Sequence, residues 1–217
     1  MTTEYQRQTG IIDIEKFRDN EVTIVGCGAN GSFVGIALAK MGLTKFRLYD
    51  FDTVEVHNLP NQFFGWKDIG KKKVNVTSRY MKHFNKLVEV YEFNRFGRGD
   101  NLNTHIVVSC VDKMKVRKEI FNSSKRNKNV QLFIDTRMAG LQGQVYTVDM
   151  TNKKEIENYM KTLFDDDEAV QQRCTERSIL FTVLGIASIV CNQIIKALKE
   201  EELRNYIVLD YSIPQLI

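Results

Sequence analysis

An α/β fold, with a mostly parallel sheet and helices on both of its faces, is predicted by three observations on the 217-residue chain. Short apolar runs alternate along it with longer segments of helical period. The first run, Val22 to Val25, passes straight into the glycine-rich turn Gly26-Cys27-Gly28-Ala29-Asn30-Gly31. The next run, Phe46 to Tyr49, follows the intervening helical segment and ends on an acid, Asp50. Strand, glycine turn, helix and strand in that order form a βαβ unit with parallel strands, and the architecture reads as Rossmann-like.

Taken in order, residues Tyr5 to Phe17 are a polar leader ahead of the first strand. Phe33, Val34, Ile36, Ala37, Leu38 and Met41 mark a buried helix that stops at Gly42. Asp50 to Gln62 fits neither the helical nor the strand period; it is polar and longer than a routine connection, as ligand-contacting loops tend to be. Asp68 to Phe84 is predicted helical, with Lys71, Lys72 and Lys73 in its first turns. Leu87 to Phe93 alternates as a strand, and Asn94 to Asn103 is an open loop. His105 to Cys110 is nearly all apolar, as a strand covered on both faces would be, and leads through Val111-Asp112 into a basic helix reaching Phe121. Asn129 to Asp135 is the next buried strand, Thr136 to Leu141 a turn through Gly140, and Gly143 to Val148 another strand. A charged helix over Lys153 to Phe164, an apolar helix over Ser178 to Leu198 and a strand over Tyr206 to Asp210 complete the chain. The reading is one domain over 1–217, with 1–20 as a leader and 149–178 as a crossover region.

Composition narrows the class. A hydrophobic share of 43% and only two prolines suit a well-cored globular domain. The formal charge of +4 is mild, and no sustained basic stripe with interleaved aromatics argues for nucleic acid. Cys27, Cys110, Cys174 and Cys191 are widely spaced and form no C-x-x-C pair, so a reducing, cytoplasmic setting is expected and no structural zinc. The chain opens without the apolar core of a signal peptide, and Ile179 to Ile195 is interrupted by Gly185, Ser188, Asn192 and Gln193, which reads as a buried helix rather than a membrane span. His57, His83 and His105 lack metal-ligand spacing.

The glycine turn has a chemical meaning. Gly26 lets the chain leave its strand tightly, Gly28 lets backbone approach a phosphate, and Gly31 lets the helix pack on the sheet, so that the freed N–H groups meet an anion. Asp50 lies close to the offset of about twenty residues at which such units place a ribose-binding carboxylate. Asp52, Asn58, Gln62, the lysines and Asp112 all fall where the loops of a doubly wound sheet converge. Several carboxylates beside cations suit a magnesium–triphosphate better than a nicotinamide dinucleotide, because magnesium takes oxygen ligands and lysine offers phosphate a point charge.

Tyr5-Gln6-Arg7-Gln8, Gly26 to Ser32, Asp50 to Gln62, Asp68-Ile69-Gly70-Lys71-Lys72-Lys73-Val74 and Cys110-Val111-Asp112 running on to Arg117 together resemble the ThiF/MoeB/E1-type superfamily, which activates ubiquitin-like and sulfur-carrier proteins. The resemblance is dense from Tyr5 to Arg117 and thinner beyond. It implies ATP- and Mg²⁺-dependent adenylation of the C-terminal carboxylate of a ubiquitin-like protein, a sulfur carrier or a peptide. By family pattern the loop Gly26, Gly28, Ala29, Asn30 and Gly31 lies against the nucleotide, Asp50 holds the ribose, and Asp52, Asn58 and Gln62 line the site. Lys73 contacts phosphates, and Asp112 organises the magnesium ion. Arg7 matches a leader arginine that reaches into the partner protomer's site, which implies a homodimer, with an E2-like or sulfur-transfer partner downstream.

Three departures accompany the likeness. Asn61 stands where the family has an arginine, Ala29 where a glycine is common, and the zinc-binding cysteine pairs are absent. Cys174-Thr175 looks like the nucleophilic cysteine of thioester-forming members; with Arg173, Arg177 and a helix start nearby its pKa would be depressed, while the plain alternative is an unreactive loop cysteine. Asp135 is read as a substrate-side or loop-ordering acid, and Arg137 as a candidate for a substrate carboxylate. Two other functions stay open: tRNA base modification on the same fold, and an adaptor subunit with a degenerate site, suggested by Asn61.

Overall fold

The computed structural model describes residues 3–97, 100, 102, 104–164 and 178–213. Seven strands form one sheet: β1 Glu21–Val25, β2 Lys45–Tyr49, β3 Glu89–Phe93, β4 Ile106–Ser109, β5 Leu132–Ala139, β6 Gln142–Asp149 and β7 Tyr206–Asp210. Their spatial order is β3-β2-β1-β4-β5-β6-β7. The first five run parallel, with Val25 level with Tyr49 on one side and with Ser109 on the other, while β6 is added antiparallel to β5 and β7 antiparallel to β6. The chain winds outward from β1 through β2 to β3, then returns to place β4 beside β1. That reversal opens a crevice at the carboxyl ends of β1 and β4.

Side chains alternate across the sheet as the strand period requires. Val22, Ile24, Ile106, Val108, Leu132 and Ile134 enter one core, under α2 Ala29–Met41, α3 Lys73–Phe84 and α6 Leu180–Leu198. Val25, Val107 and Phe133 enter the other, where α4 Met114–Arg126 and α5 Lys153–Met160 bring Ile120, Phe121 and Tyr159. Both faces are covered, as the sequence predicts.

Several boundaries differ from expectation. The leader is structured: a 3₁₀ turn over Thr3–Gln8 precedes a short helix, α1 Ile14–Arg18, whose first turn Asp13 caps. α3 begins at Lys73 rather than Asp68, so Lys71 and Lys72 lie in the loop before it, and Trp66–Asp68 form a separate 3₁₀ turn. β5 continues through Thr136 to Ala139, because its pairing with β6 is a long antiparallel hairpin that closes only at Gly140 and Leu141. α6 is long and apolar enough to cross a bilayer by length and composition, but its face with Val183, Ile186, Val190 and Ile194 is buried in the first core. Its other face leaves Leu180, Phe181 and Leu184 partly exposed, with Phe181 set edge-on against the Tyr211 ring.

Two glycines fix the turn after β1. Gly26 has φ +94°, and a side chain there would meet the Cys110 carbonyl oxygen at 2.6 Å. A side chain on Gly31 would overlap the Gly26 carbonyl oxygen and press on Ile24. Gly28, with φ −78°, has nothing nearer than the Gln62 amide at 3.9 Å. Overpacking at a site bounded by backbone is not relieved by a rotamer change. Gly31→Ala is therefore expected to cost more than about 3 kcal/mol of stability or to abolish soluble expression, whereas Gly28→Ala is expected to unfold in urea within about 1 kcal/mol of the parent.

Candidate active site

The site is assembled on the carboxyl edge, at the crevice between β1 and β4. α2 is led by Gly28 and receives no side-chain cap, so its first N–H groups are free for a ligand. α3 and α4 likewise start without side-chain caps, on Lys72 and Lys113. A cation at a helix start is unfavourable with the dipole unless an anion is bound there. Repetition of this arrangement on two helices makes the edge electrostatically suited to a polyanion.

Asp50 is fixed beside the glycine loop: one carboxylate oxygen accepts from the Cys27 N–H at 2.7 Å and the other from the Asp52 N–H at 2.8 Å. Burial pushes its carboxyl above the usual range, against the pull of those two amides and of Lys73. Lys73 is 7% exposed and reaches the Asp52 carboxylate at 3.0 Å, while its own N–H is bonded to the Asp52 carbonyl. Lys72 donates to the Phe51 carbonyl at 2.7 Å. Asp50, Asp52 and Lys73 thus share one shelf beside Gly26 and Cys27. Asp112 lies two residues past the Cys110 carbonyl that touches Gly26, and is solvent-exposed.

Other expected residues serve differently. Asn58 is 5% exposed and accepts from the Glu55 N–H at 2.9 Å, so it organises its own turn. Ala29 opens α2 and its carbonyl accepts from Ser32 at 3.3 Å, while the Ser32 hydroxyl accepts from the Phe63 N–H at 3.1 Å and ties the helix to the loop after Gln62. Asn30 donates to the Thr136 hydroxyl at 3.1 Å and keeps a buried, unpartnered oxygen. Gln62 has a buried amide oxygen without a partner. Asn61 donates to the Ser178 hydroxyl, so the position departing from the family pattern joins this loop to the approach to α6. Arg7 is exposed, on a leader anchored by Tyr5 against Gly42 at the far end of α2. Thirteen residues of helix, about 20 Å, separate it from the glycine loop of its own chain. Cys174, with Arg173 and Arg177, lies outside the described residues.

The structure corrects the reading of Arg137. Its Nε donates to Asp135 at 2.9 Å, its terminal nitrogens to the carbonyl and hydroxyl of Thr162 at 3.1 and 3.0 Å, and its plane stacks 4.3 Å from the Tyr146 ring centre. The guanidinium is committed within the fold and is not presented to a substrate carboxylate. Asp135 is fully buried and also receives Arg117, which further donates to the Thr136 carbonyl at 3.1 Å and the Val111 carbonyl at 2.5 Å. Of the two roles considered for Asp135, loop ordering is the one its contacts support. The signal for this pair was present in the sequence, because Asp135 and Arg137 at i and i+2 of a strand share a face; Arg117, on another element, carried no such mark.

The buried thiols are unsuited to chemistry. Cys27 is raised well above its ordinary value by burial and by Asp50, and burial pushes Cys110 to about 11 and Cys191 to about 12. They act as core fillers, Cys27 and Cys191 buried and Cys110 half-buried.

A doubly wound sheet whose switch point carries a glycine-led, uncapped helix and a carboxylate–lysine shelf defines a Rossmann-like α/β domain. The chain belongs to the ThiF family, whose model matches residues 5–214. Ubiquitin-like modifier-activating enzyme 5 of Drosophila erecta is 32% identical over 145 residues, which is 59% of this chain and 36% of that protein. The enzyme of the same name from Oryza sativa subsp. japonica is 31% identical over 130 residues, covering 51% and 31% respectively. The match spans about a third of the length of these curated relatives. Among solved structures, Escherichia coli MccB with ATP superposes with a TM-score of 0.77 at 18% identity, over 99% of this chain and 70% of that one. PaaA gives 0.73 at 19%, over 96% and 66%. At such identities the likeness is one of fold.

Two outcomes follow from the charges. Burial alone would raise the Asp68 carboxyl, but Arg79 at 2.5 Å, the Gly65 N–H at 2.9 Å and the Tyr80 hydroxyl at 3.0 Å outweigh it and hold it below the ordinary range. The ionised carboxylate therefore stabilises the fold above about pH 4, and that contribution is lost as pH falls through the lowered folded value. Asp68→Asn is expected to cost about 1–3 kcal/mol at pH 7, with a smaller gap from the parent in urea titrations run below about pH 4. Asp50 has the opposite sign: its raised value means that holding the carboxylate ionised at neutral pH costs stability. Asp50→Asn, which forfeits one of two hydrogen bonds but relieves that cost, is expected to melt within about 1 kcal/mol of the parent.

Proposed function

We propose that this chain catalyses adenylation of the C-terminal carboxylate of a protein or peptide. A carboxylate oxygen attacks the α-phosphorus of ATP, the bond to the bridging oxygen breaks, and pyrophosphate leaves an acyl-adenylate. The observation that carries this reading is the shelf at the switch point, where Asp50 is pinned by the Cys27 amide and the buried Lys73 amine rests on Asp52 beside an uncapped helix start. Support comes also from the company of the fold: solved structures of MccB include one with ATP and one with AMPCPP and MccA.

In this reading the first N–H groups of α2 receive phosphate oxygens and Asp50 accepts from the ribose hydroxyls. Lys73 exchanges its Asp52 partner for phosphate, and Asn30 and Gln62 offer their unpartnered oxygens to the ligand. A magnesium ion would supply charge neutralisation to the departing pyrophosphate, with Asp112 as its protein ligand. The donor set fits that ion: one exposed carboxylate without a committed partner leaves the other positions to phosphates and water, as magnesium prefers. Among the described residues no three His, Cys, Asp or Glu converge to form a closed metal cage. Rate is gained through positioning and through neutralising developing charge.

Arg7 lies a helix length from its own site, which supports its use in a second copy of the chain and hence a homodimer. A ubiquitin-like protein, a sulfur carrier or a short peptide is the substrate class, with transfer to Cys174 or directly to an E2-like or sulfur-transfer partner as the next step. A second reading, an adaptor with a weakened site, draws support from Asn61, whose amide is bonded to Ser178 rather than offering a cation. A stable complex with another E1-like chain and no adenylate would favour that reading.

ATP–pyrophosphate exchange in the presence of candidate carrier proteins and C-terminal peptides tests the proposal; background exchange throughout, with no calorimetric nucleotide binding, overturns it. Lys73→Ala and Asp112→Ala are each expected to slow exchange by about 10²-fold or more, with Asp112→Ala unfolding within about 1 kcal/mol of the parent and Lys73→Ala within about 3 kcal/mol. Cys174→Ser should leave exchange intact and abolish any thiol-sensitive adduct with the carrier; an adduct that survives removes the thioester step.

A further inference from the structure

Three charged groups beneath the site carry a surplus that nothing in the adenylation scheme uses. Arg117 and Arg137 both bind Asp135, so two positive charges meet one negative in a place where Arg117 is 3% and Asp135 0% exposed. Apart from Asp112, the other groups around them are neutral at physiological pH. Thr136, Val111 and Thr162 contribute carbonyls and hydroxyls, burial holds the Tyr159 hydroxyl at about 12 and the Cys110 thiol at about 11, and Tyr146 is raised by burial too. Arg117 stays protonated, although burial and the repulsion of Arg137 push it down to about 10, and its Nε lacks a partner. Asp112 is the nearby acid acting on it, and that carboxylate is exposed to solvent and therefore screened.

Such a cluster is a poor device for stability alone, since buried arginine–acid–arginine groups are often replaceable by apolar side chains without loss. Its position is more telling. Arg117 grips the carbonyl just before Asp112 and the carbonyl of Thr136, and the Thr136 hydroxyl accepts from Asn30 in the first turn of α2. The surplus charge is thus tied through Thr136 to the first turn of α2, at the end of the glycine loop. Above it, Asp50, Asp52 and Asp112 face Lys73 and the helix-start lysines Lys72 and Lys113, so the charges of the shelf come close to balance. Lys71 and Lys72 are exposed, and both are already near acceptors, at Asp68 and the Phe51 carbonyl.

We propose that the Arg117–Asp135–Arg137 cluster is the fixed counter-charge of the nucleotide site, favouring the ligand in proportion to its phosphate charge without touching it. This rests on the nucleotide reading of the site given above. By Coulomb's law at an effective dielectric of about 20, a unit charge about 10 Å away is worth roughly tenfold in affinity per charge opposed. Because the cluster is buried, salt weakens this contribution less than it weakens that of a surface lysine.

Calorimetric dissociation constants for adenosine, AMP, ADP and ATP test it on the full chain. Arg137→Gln, which cancels the surplus, is expected to weaken adenosine less than twofold and AMP, ADP and ATP progressively more, ATP by at least about tenfold. Arg137→Lys should restore the ATP-to-adenosine ratio. The double change Asp135→Asn with Arg137→Gln, which restores the surplus without the ion pairs, should restore it as well. Asp135→Asn alone adds a charge and should move the ratio the other way, giving an independent arm where Arg137→Gln does not fold. Equal weakening of all four ligands would assign the cluster a purely structural role and overturn the proposal, as would an unchanged ratio in every variant. A parent protein that binds none of the four would remove the nucleotide reading itself; one that binds them while the ratio stays fixed removes the counter-charge alone.

Discussion

The contact on which the molecule turns is the closure of the β1–α2 loop, backbone against backbone. Gly31 brings the first turn of α2 onto the Gly26 carbonyl, and Gly26 brings the loop onto the Cys110 carbonyl at the end of β4. No side chain can intervene at either point. This double approach joins the β1 end to the β4 end at the topological reversal of the sheet. It sets the Cys27 amide where it can hold Asp50, and it brings the chain segment carrying Asp112 to the same edge.

Around that closure the electrostatics are organised in layers. The innermost layer is backbone: uncapped helix starts whose N–H groups remain available. The next is the shelf of Asp50, Asp52 and Lys73, in which a desolvated carboxylate is tolerated because two amides and an ammonium group lie beside it. Below lies the Arg117–Asp135–Arg137 cluster, which bonds to the Val111 carbonyl just past β4 and to the Thr136 carbonyl within β5, and so couples those two strands mechanically as well as electrically. To one side, Asp68 clamps the loop ahead of α3 through Arg79, Tyr80 and Gly65, and so fixes where Lys73 enters its helix. Ionisation costs stability at Asp50 and adds to it at Asp68.

Much of this was legible in the chain. The glycine turn, Asp50 and Lys73 could be read because their neighbours in space are also neighbours in pattern: a strand hands its end to a turn, and the turn starts a helix. Asp135 with Arg137 was half legible, since the strand period puts them on one face, but their partner Arg117 comes from α4 and their anchor Thr162 from the end of α5. The extension of β5 through Ala139 was missed because Gly140 reads locally as a turn, whereas pairing with β6 is a long-range choice. The helical leader was missed for a similar reason: Phe17 and Tyr5 gain their burial from the core and from Gly42, which lie far along the chain.

The sequence by itself determined the alternation of strands and helices, the glycine turn, and the set of acids and lysines gathered at loop positions, because local periodicity and turn sterics act between residues a few positions apart. Tertiary structure alone decided which of those polar groups face one another. It made Asn61 a tie to Ser178, committed Arg137 to Asp135 and Thr162, held Arg7 away from its own cleft, and left one positive charge under the loop. Those outcomes depend on distances set by packing between elements, and a charge's worth depends on how far burial removes it from water, which no local pattern encodes.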